Sequence, residues 1–237
     1  MEQDYRIAGL RVRMDTFGRT AGLAQPYRIE SGGAADICIQ SQQAYYRQRQ
    51  PDAPEDELEY MGTSRDFYMK LLQYSGMVLH ASAVMVDGRA YLFSADSGVG
   101  KSTHTSLWQQ MLGEDKAVII NDDKPALRRI DGQWLAYGTP WCGKDGLNRN
   151  LSAPVGGICF LERGSENTIT SYPADDLLFR VLRQTIIVQQ SSYINHLLTL
   201  IDSLTNQVPI WQLHCTPTVE AAQLAYQQMS LKDREYR

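Results

Sequence analysis

Paired cysteines are missing from this sequence. Cys38, Cys142, Cys159 and Cys215 are scattered, and no C-x-x-C spacing occurs. That excludes the usual zinc-ribbon pattern and a disulfide framework, and predicts reduced thiols in a cytoplasmic protein. Long apolar runs are also missing; none approaches the roughly 20 residues that cross a bilayer. The opening Met1-Glu-Gln-Asp-Tyr5 is polar and acidic, unlike a secretory leader. Charge of one sign is missing as well. Lys and Arg number 23 and Asp and Glu 27, for a net charge of −4. No basic field recommends nucleic acid or a membrane as a partner. No internal repeat or long low-complexity tract appears.

What the chain does have is enough apolar material for a sizeable core, 43% of 237 residues. One domain is expected over 1–237. It divides into a β-rich N-terminal part (1–62), a nucleotide-binding core (63–165) and a largely helical C-terminal part (166–237).

The stretch with the most chemistry is Ala90 to Thr103, Ala-Tyr-Leu-Phe-Ser-Ala-Asp-Ser-Gly-Val-Gly-Lys-Ser-Thr. A short apolar strand breaks into a glycine-bearing loop and resumes as a helix to about Leu112, with Gly113 as its cap. Ala95-x4-Gly100-Lys101-Ser102 fits a phosphate-binding loop with Ala95 in place of the first glycine. Gly98 and Gly100 let consecutive backbone amides face one anion, and the helix adds its positive end. Lys101 is expected to reach the β/γ-phosphates and Ser102 to ligate Mg²⁺. The candidate nucleotide-binding residues are Asp96, Ser97, Gly98, Val99, Gly100, Lys101, Ser102 and Thr103.

Elsewhere, Tyr5–Met14 reads as a strand with Ile7, Leu10 and Val12 inward and Gly9 as a bulge. Tyr27–Glu30 and Asp36–Ile39 read as short strands, and Gln50–Glu57 as an exposed loop. A helix is predicted over Ser64–Tyr74, capped by Thr63 and Asp66 and ended by Gly76. Met77–Val86 reads as one buried strand, turned by Asp87-Gly88 into the strand that feeds the loop. That hairpin makes the sheet mixed, unlike the all-parallel sheets of the common nucleotide-binding folds. Lys116–Asp123 is a buried strand, Lys124–Tyr137 a hairpin turning at Asp131-Gly132, and Val155–Leu161 another strand. Two helices follow, with Leu177, Leu178, Val181 and Leu182 inward on the first and Ile194, Leu197, Leu198, Ile201 and Leu204 on the second. A last strand covers Pro209–His214, and Thr216-Pro217 opens a final helix.

Three features gather around the loop. Asp122 and Asp123 end a hydrophobic strand; one carboxylate can hold Mg²⁺ and the other can accept a hydroxyl proton. His80 is either a core histidine or a donor near the γ-phosphate. Thr139-Pro-Trp-Cys-Gly-Lys144 is either an ordinary loop or one that brings Lys144 to the phosphoryl group, with Trp141 packing a base or stiffening the loop. His104, His196 and His214 read as structural or exposed.

Leu79-His-Ala-Ser-Ala-Val, the loop sequence and Ile120-Asn-Asp-Asp together resemble the catalytic domain of HPr kinase/phosphorylase, over about residues 77–161. That domain shares its nucleotide core with ATP-dependent phosphoenolpyruvate carboxykinases. The whole chain resembles small HPr-kinase-like proteins of bacterial gene clusters. The resemblance implies an α/β fold built on that mixed sheet and an ATP- and Mg²⁺-dependent kinase. It implies transfer to a hydroxyl, serine above all, of a peptide, small protein or amino acid. It implies phosphate binding by Lys101, metal binding by Ser102 and one of Asp122 and Asp123, a base from the other, and help from His80. Thr103-His104 stands where HPr kinases have Glu-Thr. Two alternatives remain: a non-catalytic nucleotide-binding module, and a carboxykinase-like enzyme drawing on Arg65, Arg149 and Arg180. The phosphoryl acceptor and any oligomeric assembly stay open.

Overall fold

A computed structural model describes residues 2–186 and 191–235. The predicted 166–237 part therefore includes positions, 187–190 and 236–237, that lie outside the described residues. The elements in order are β1 (Gln3–Ile7), β2 (Leu10–Met14), α1 (Gly18–Ala24), β3 (Ile37–Cys38), α2 (Gln43–Arg47) and α3 (Glu55–Leu71). Next come β4 (Gly76–Val78), β5 (Ala81–Val86), β6 (Arg89–Ser94), α4 (Lys101–Leu112), β7 (Val118–Asn121), β8 (Ala126–Ile130) and β9 (Gln133–Tyr137). Last are β10 (Ser152–Arg163), β11 (Thr168–Ser171), α5 (Ala174–Arg183), α6 (Ser191–Gln207), β12 (Ile210–Cys215) and α7 (Val219–Glu235).

The hairpins follow from local backbone chemistry. Asp87-Gly88 and Asp131-Gly132 both adopt positive φ at their two central residues, the type I′ pattern that matches strand twist. Ala8-Gly9 does the same, with φ of 51° and 77°. Tyr5–Met14 is therefore a hairpin of β1 and β2, and Gly9 is its turn, not a bulge. Ile7, Leu10 and Val12 are buried as expected. Tyr27 ends a 3-10 turn, and the predicted strand there reduces to one bridge between Tyr5 and Arg28.

The main sheet runs β4-β8-β9-β10-β6-β5-β7, with β12 beside β10 and β11 beyond it. β6 pairs parallel to β10 and antiparallel to β5. The sheet is thus mixed, as the Asp87-Gly88 turn requires. Only Leu79 and His80 separate β4 from β5, yet these strands lie toward opposite ends of the order; so do β7 and β8, joined through Asp122 to Pro125. The sheet must curl until its ends approach. There the two linkers run side by side, with Leu79 N donating to Pro125 O at 3.5 Å and Ala81 N to Asp123 O at 3.1 Å. The single strand predicted over Met77–Val86 is broken at His80 for this reason.

Alternation on β6 serves two cores. Ala90 and Leu92 pack with Phe160, Val181, Leu197, Ile201 and Leu204 under α5 and α6. Tyr91 and Phe93 pack with Trp108, Trp211, Ala222 and Met229 under α4 and α7. A third cluster joins β1–β3, α1 and α3 through Ile7, Val12, Tyr27, Phe67 and Trp141.

Several boundaries differ from those expected. α3 starts at Glu55, with Glu55, Asp56 and Glu57 in its first turn, so the acidic end of the expected loop favours a helix N-terminus. Thr63 is mid-helix and bonds back to Glu59 O, and Asp66 instead accepts from Gln40 N and Lys70 Nζ. Left-handed Ser75, ahead of Gly76, ends the helical run. Leu178 is exposed on α5, β11 is an extra strand, and α7 starts at Val219, beyond Thr216-Pro217.

Glu59 is fully buried on α3, and neither carboxyl oxygen has a partner at bonding distance. Burial raises its pKa to about 7, aided by Asp56 and Asp15 and opposed by nearby Thr20 and the Phe17 amide. The folded protein holds this proton in a range where the unfolded chain has lost it. Stability must then fall as pH rises from about 4.5 to about 7, by roughly 3 kcal/mol at most. Glu59→Gln is expected to flatten this dependence, and thermal melts at pH of about 5 and about 8 check it.

Gly138 admits the chain into the loop that follows β9. A Cβ there would lie 1.9 Å from Arg149 O and 2.5 Å from Ile120 O. Both are backbone atoms that cannot swing aside. Gly138→Ala is expected to destabilise by about 3 kcal/mol or more, read as a lowered Tm.

Candidate functional site

The segment between β6 and α4 has the shape its glycines permit. Gly98 and Gly100 take φ of 78° and 126°, which favours glycine. α4 begins at Lys101 with no side-chain cap, so its first amides are left facing the loop. Lys101 is 8% exposed, and its Nζ donates to Ala95 O at 3.0 Å and Asp96 O at 3.4 Å. An ammonium has three donors, so one remains. Burial pushes the Lys101 pKa down, while Asp123, Asp122 and Asp96 pull the other way.

Curling of the sheet brings the acidic pair alongside. Asp122 is buried and accepts from Ser82 Oγ at 2.7 Å. Burial raises its pKa, against hydrogen bonds from Ser82 and Ser102. Asp123 differs. Burial would raise it too, but the His80 bond and the Lys124 charge outweigh that and hold it at about 2. His80 Nε2 stands 3.1 Å from Asp123 Oδ1, and Lys124 Nζ bonds the other oxygen. His80, Ser97, Gly98, Gly100, Lys101, Ser102, Thr103, Asp122, Asp123 and Lys144 line one cavity of about 480 Å³. Asp96 and Val99 do not line it. Arg65, Arg149 and Arg180 do not border it either; Arg65 bonds Gln42, and Arg180 lies over Phe160.

The loop from Thr139 to Lys144 forms the opposite wall, and its rigidity comes from Trp141. That ring is fully buried, stacked on Phe67 at 4.8 Å, and donates to Thr63 Oγ1 at 3.1 Å. Trp141 therefore stiffens the loop and is not free to pack a base. Asn121 Nδ2 donates to Thr139 O and Trp141 O, and Tyr60 donates to Cys142 O at 2.6 Å. Arg19, over the Tyr60 ring, donates to Gly143 O at 2.9 Å. Exposed Lys144 sits at the rim.

Four contributors were assigned no role from the sequence: Ser82, Lys124, Arg19 and Gln184. Lys124 adjoins the Asp pair, and Ser82 lies two residues past His80, so both carried a positional signal. Arg19 and Gln184 had none, because they come from distant segments. His104, expected to be structural or exposed, is structural: it is buried, accepts from Trp108 Nε1, and burial lowers its pKa to about 4.

A second cavity, of about 440 Å³, lies on the other flank of the same loop. Val99, Leu107, Leu161, Arg163 and Pro217 line it, and Arg163 donates to Gly98 O at 2.7 Å.

The donor set suits Mg²⁺, which characteristically takes one or two carboxylates and completes its shell with phosphate and water. Among the described residues no group of three His, Cys, Asp or Glu forms a self-sufficient metal cage. A hydroxyl and a carboxylate, Ser102 and Asp122, line the same cavity beside an uncapped helix end.

The fold and site define a class: a mixed-sheet α/β protein with a glycine loop feeding a helix beside an acidic pair. Within that class, the chain belongs to the family described as SynChlorMet cassette protein ScmC, whose profile matches residues 52–218. That description is compatible with the expected gene-cluster association. A search of curated proteins finds no match. Among solved structures, the HPr(Ser) kinase/phosphatase from Coxiella burnetii aligns at 12% identity and a TM-score of 0.37. The alignment covers 67% of this chain and 96% of that one. The likeness is loose. Among the described residues no helix is long and apolar enough to cross a membrane.

Proposed function

We propose that this chain is a kinase that transfers the γ-phosphoryl group of ATP to a hydroxyl, serine in first place, of a peptide, small protein or amino acid. The observation that carries the reading is one cavity lined both by the Gly98–Thr103 loop and by Asp122, Asp123 and His80. A simple nucleotide binder needs the loop but not an ionised carboxylate held by a histidine across it.

In this reading the loop amides and Lys101 take the β/γ-phosphates. Ser102 and Asp122 hold Mg²⁺, which would neutralise charge on the transferred group. The second cavity receives the nucleoside against Leu107, Arg163 and Pro217. Asp123 orients the acceptor hydroxyl. The hydroxyl oxygen forms the new bond to the γ-phosphorus as the bond from that phosphorus to the β–γ bridging oxygen breaks. ADP leaves with that electron pair, and the hydroxyl proton passes to Asp123. A low pKa makes Asp123 a weak base, which suffices when bond-making lags bond-breaking. Lys144 approaches the transferred group from the rim, and Arg19 and Tyr60 hold its loop.

The test is ADP release by the full chain with Mg·ATP and a panel of serine-bearing peptides. Release that depends on a peptide and deposits phosphate on it supports the reading. Release with none of them, despite tight nucleotide binding, favours the non-catalytic nucleotide-binding module.

A further inference from the structure

The C-terminal end of α5 supplies a side chain that joins the start of the phosphate loop to His80. Gln184 is 5% exposed and caps α5. Its Nε2 donates to Asp96 Oδ1 at 2.9 Å, and its Oε1 lies 3.2 Å from His80 Nδ1. Its backbone carbonyl accepts from His80 N at 2.7 Å. The amide orientation is dictated by chemistry. A carboxylate offers only acceptors, so at Asp96 the NH₂ end must face it and the oxygen must face His80. His80 Nδ1 then has to donate to Gln184, and Nε2, which faces the Asp123 carboxylate, has to donate as well, so both ring nitrogens carry hydrogen in this arrangement. A buried amide with both ends matched tolerates neither a flip nor an apolar replacement without loss.

We infer that Gln184 is a positioning residue that fixes the His80 ring against Asp123 and ties it to Asp96 at the start of the phosphate loop. The chain Asp96–Gln184–His80–Asp123 links the start of the phosphate loop to the acidic pair. The inference rests on the kinase reading for its meaning, but its geometry can be tested without turnover.

The readout is the hydrogen-bonded Nδ1–H resonance of His80 in the full chain without ligand, assigned by its loss in His80→Asn. It is expected in the parent, absent in Gln184→Met, and retained in Gln184→Glu, whose carboxylate still accepts from Nδ1. Gln184→Glu also sets two carboxylates against each other at Asp96, so its Mg·ATP affinity is expected to fall, read by calorimetry. In a kinase, Gln184→Met is expected to lower kcat by about 10–100-fold, as loss of a supporting partner does. A residue that merely stabilises the fold would lower Tm and leave the His80 resonance in place. Persistence of that resonance in Gln184→Met, or its absence from the parent, overturns the inference. If Gln184→Met does not fold, loss of the resonance in Gln184→Glu overturns it as well. Unchanged Mg·ATP affinity in Gln184→Glu overturns the Asp96 arm. A parent chain that binds no Mg·ATP but shows the expected resonances defeats the kinase reading and leaves the positioning role standing.

Discussion

Replacing Asp123 by Asn is expected to cut phosphoryl transfer by about 10²- to 10⁴-fold while Mg·ATP binding stays within a few-fold of the parent. The asymmetry follows from the different surroundings of the two carboxylates. Asp122 is buried against Ser82 and Ser102, next to the uncapped end of α4. Asp123 faces His80 and Lys124, which keep it ionised down to about pH 2 despite burial. An isosteric amide preserves the volume and can still bond Lys124 through its oxygen. It cannot accept a proton from a hydroxyl. Single-turnover transfer and calorimetry on the same preparation separate the two effects. Full turnover in Asp123→Asn would move the base to another group, with Asp122 first in line.

Lys101→Ala is expected to weaken Mg·ATP binding by about 10- to 150-fold, the equivalent of roughly 1.5–3 kcal/mol for hydrogen bonds to a charged group. The lysine is buried with one donor uncommitted, and burial lowers its pKa. The ligand-free fold thus carries a partly desolvated ammonium at a cost. Its removal should leave the ligand-free Tm unchanged or raised, which distinguishes lost binding from lost folding. A lower Tm together with lost binding would point to a structural role through the Ala95 and Asp96 carbonyls. Unchanged affinity would remove the phosphates from this loop.

The loop and the acidic pair were legible because each is local. Gly98, Gly100, Lys101 and Ser102 lie within five residues of one another, and Asp122-Asp123 follows a short β-branched apolar run that reads as a buried strand. The three hairpins were legible where Asp-Gly marked them and missed where Ala8 took the left-handed position. Closure of the sheet was not legible. Apart from His80 and Ser82 the stretch from Met77 to Val86 is apolar, and nothing local says that the chain must change neighbours at Leu79-His80. The side chains that depend on such long-range placement, Arg19 on the Gly143 loop and Gln184 on His80, were missed for the same reason. Trp141 was legible as part of the loop but not as its anchor, since its partners Phe67 and Thr63 come from a helix far earlier in the chain. The expected start of that helix failed because Thr63 and Asp66 imitate a capping box, whereas the real first turn is Glu55-Asp56-Glu57.

One titration tests the central claim most directly: Mg·ATP into the full chain, by calorimetry, with Mg²⁺ present and then removed by a chelator. Saturable one-site binding that depends on Mg²⁺ is the predicted result. Absence of binding in both conditions would contradict the reading of Gly98–Thr103 as a phosphate loop, and the kinase assignment with it.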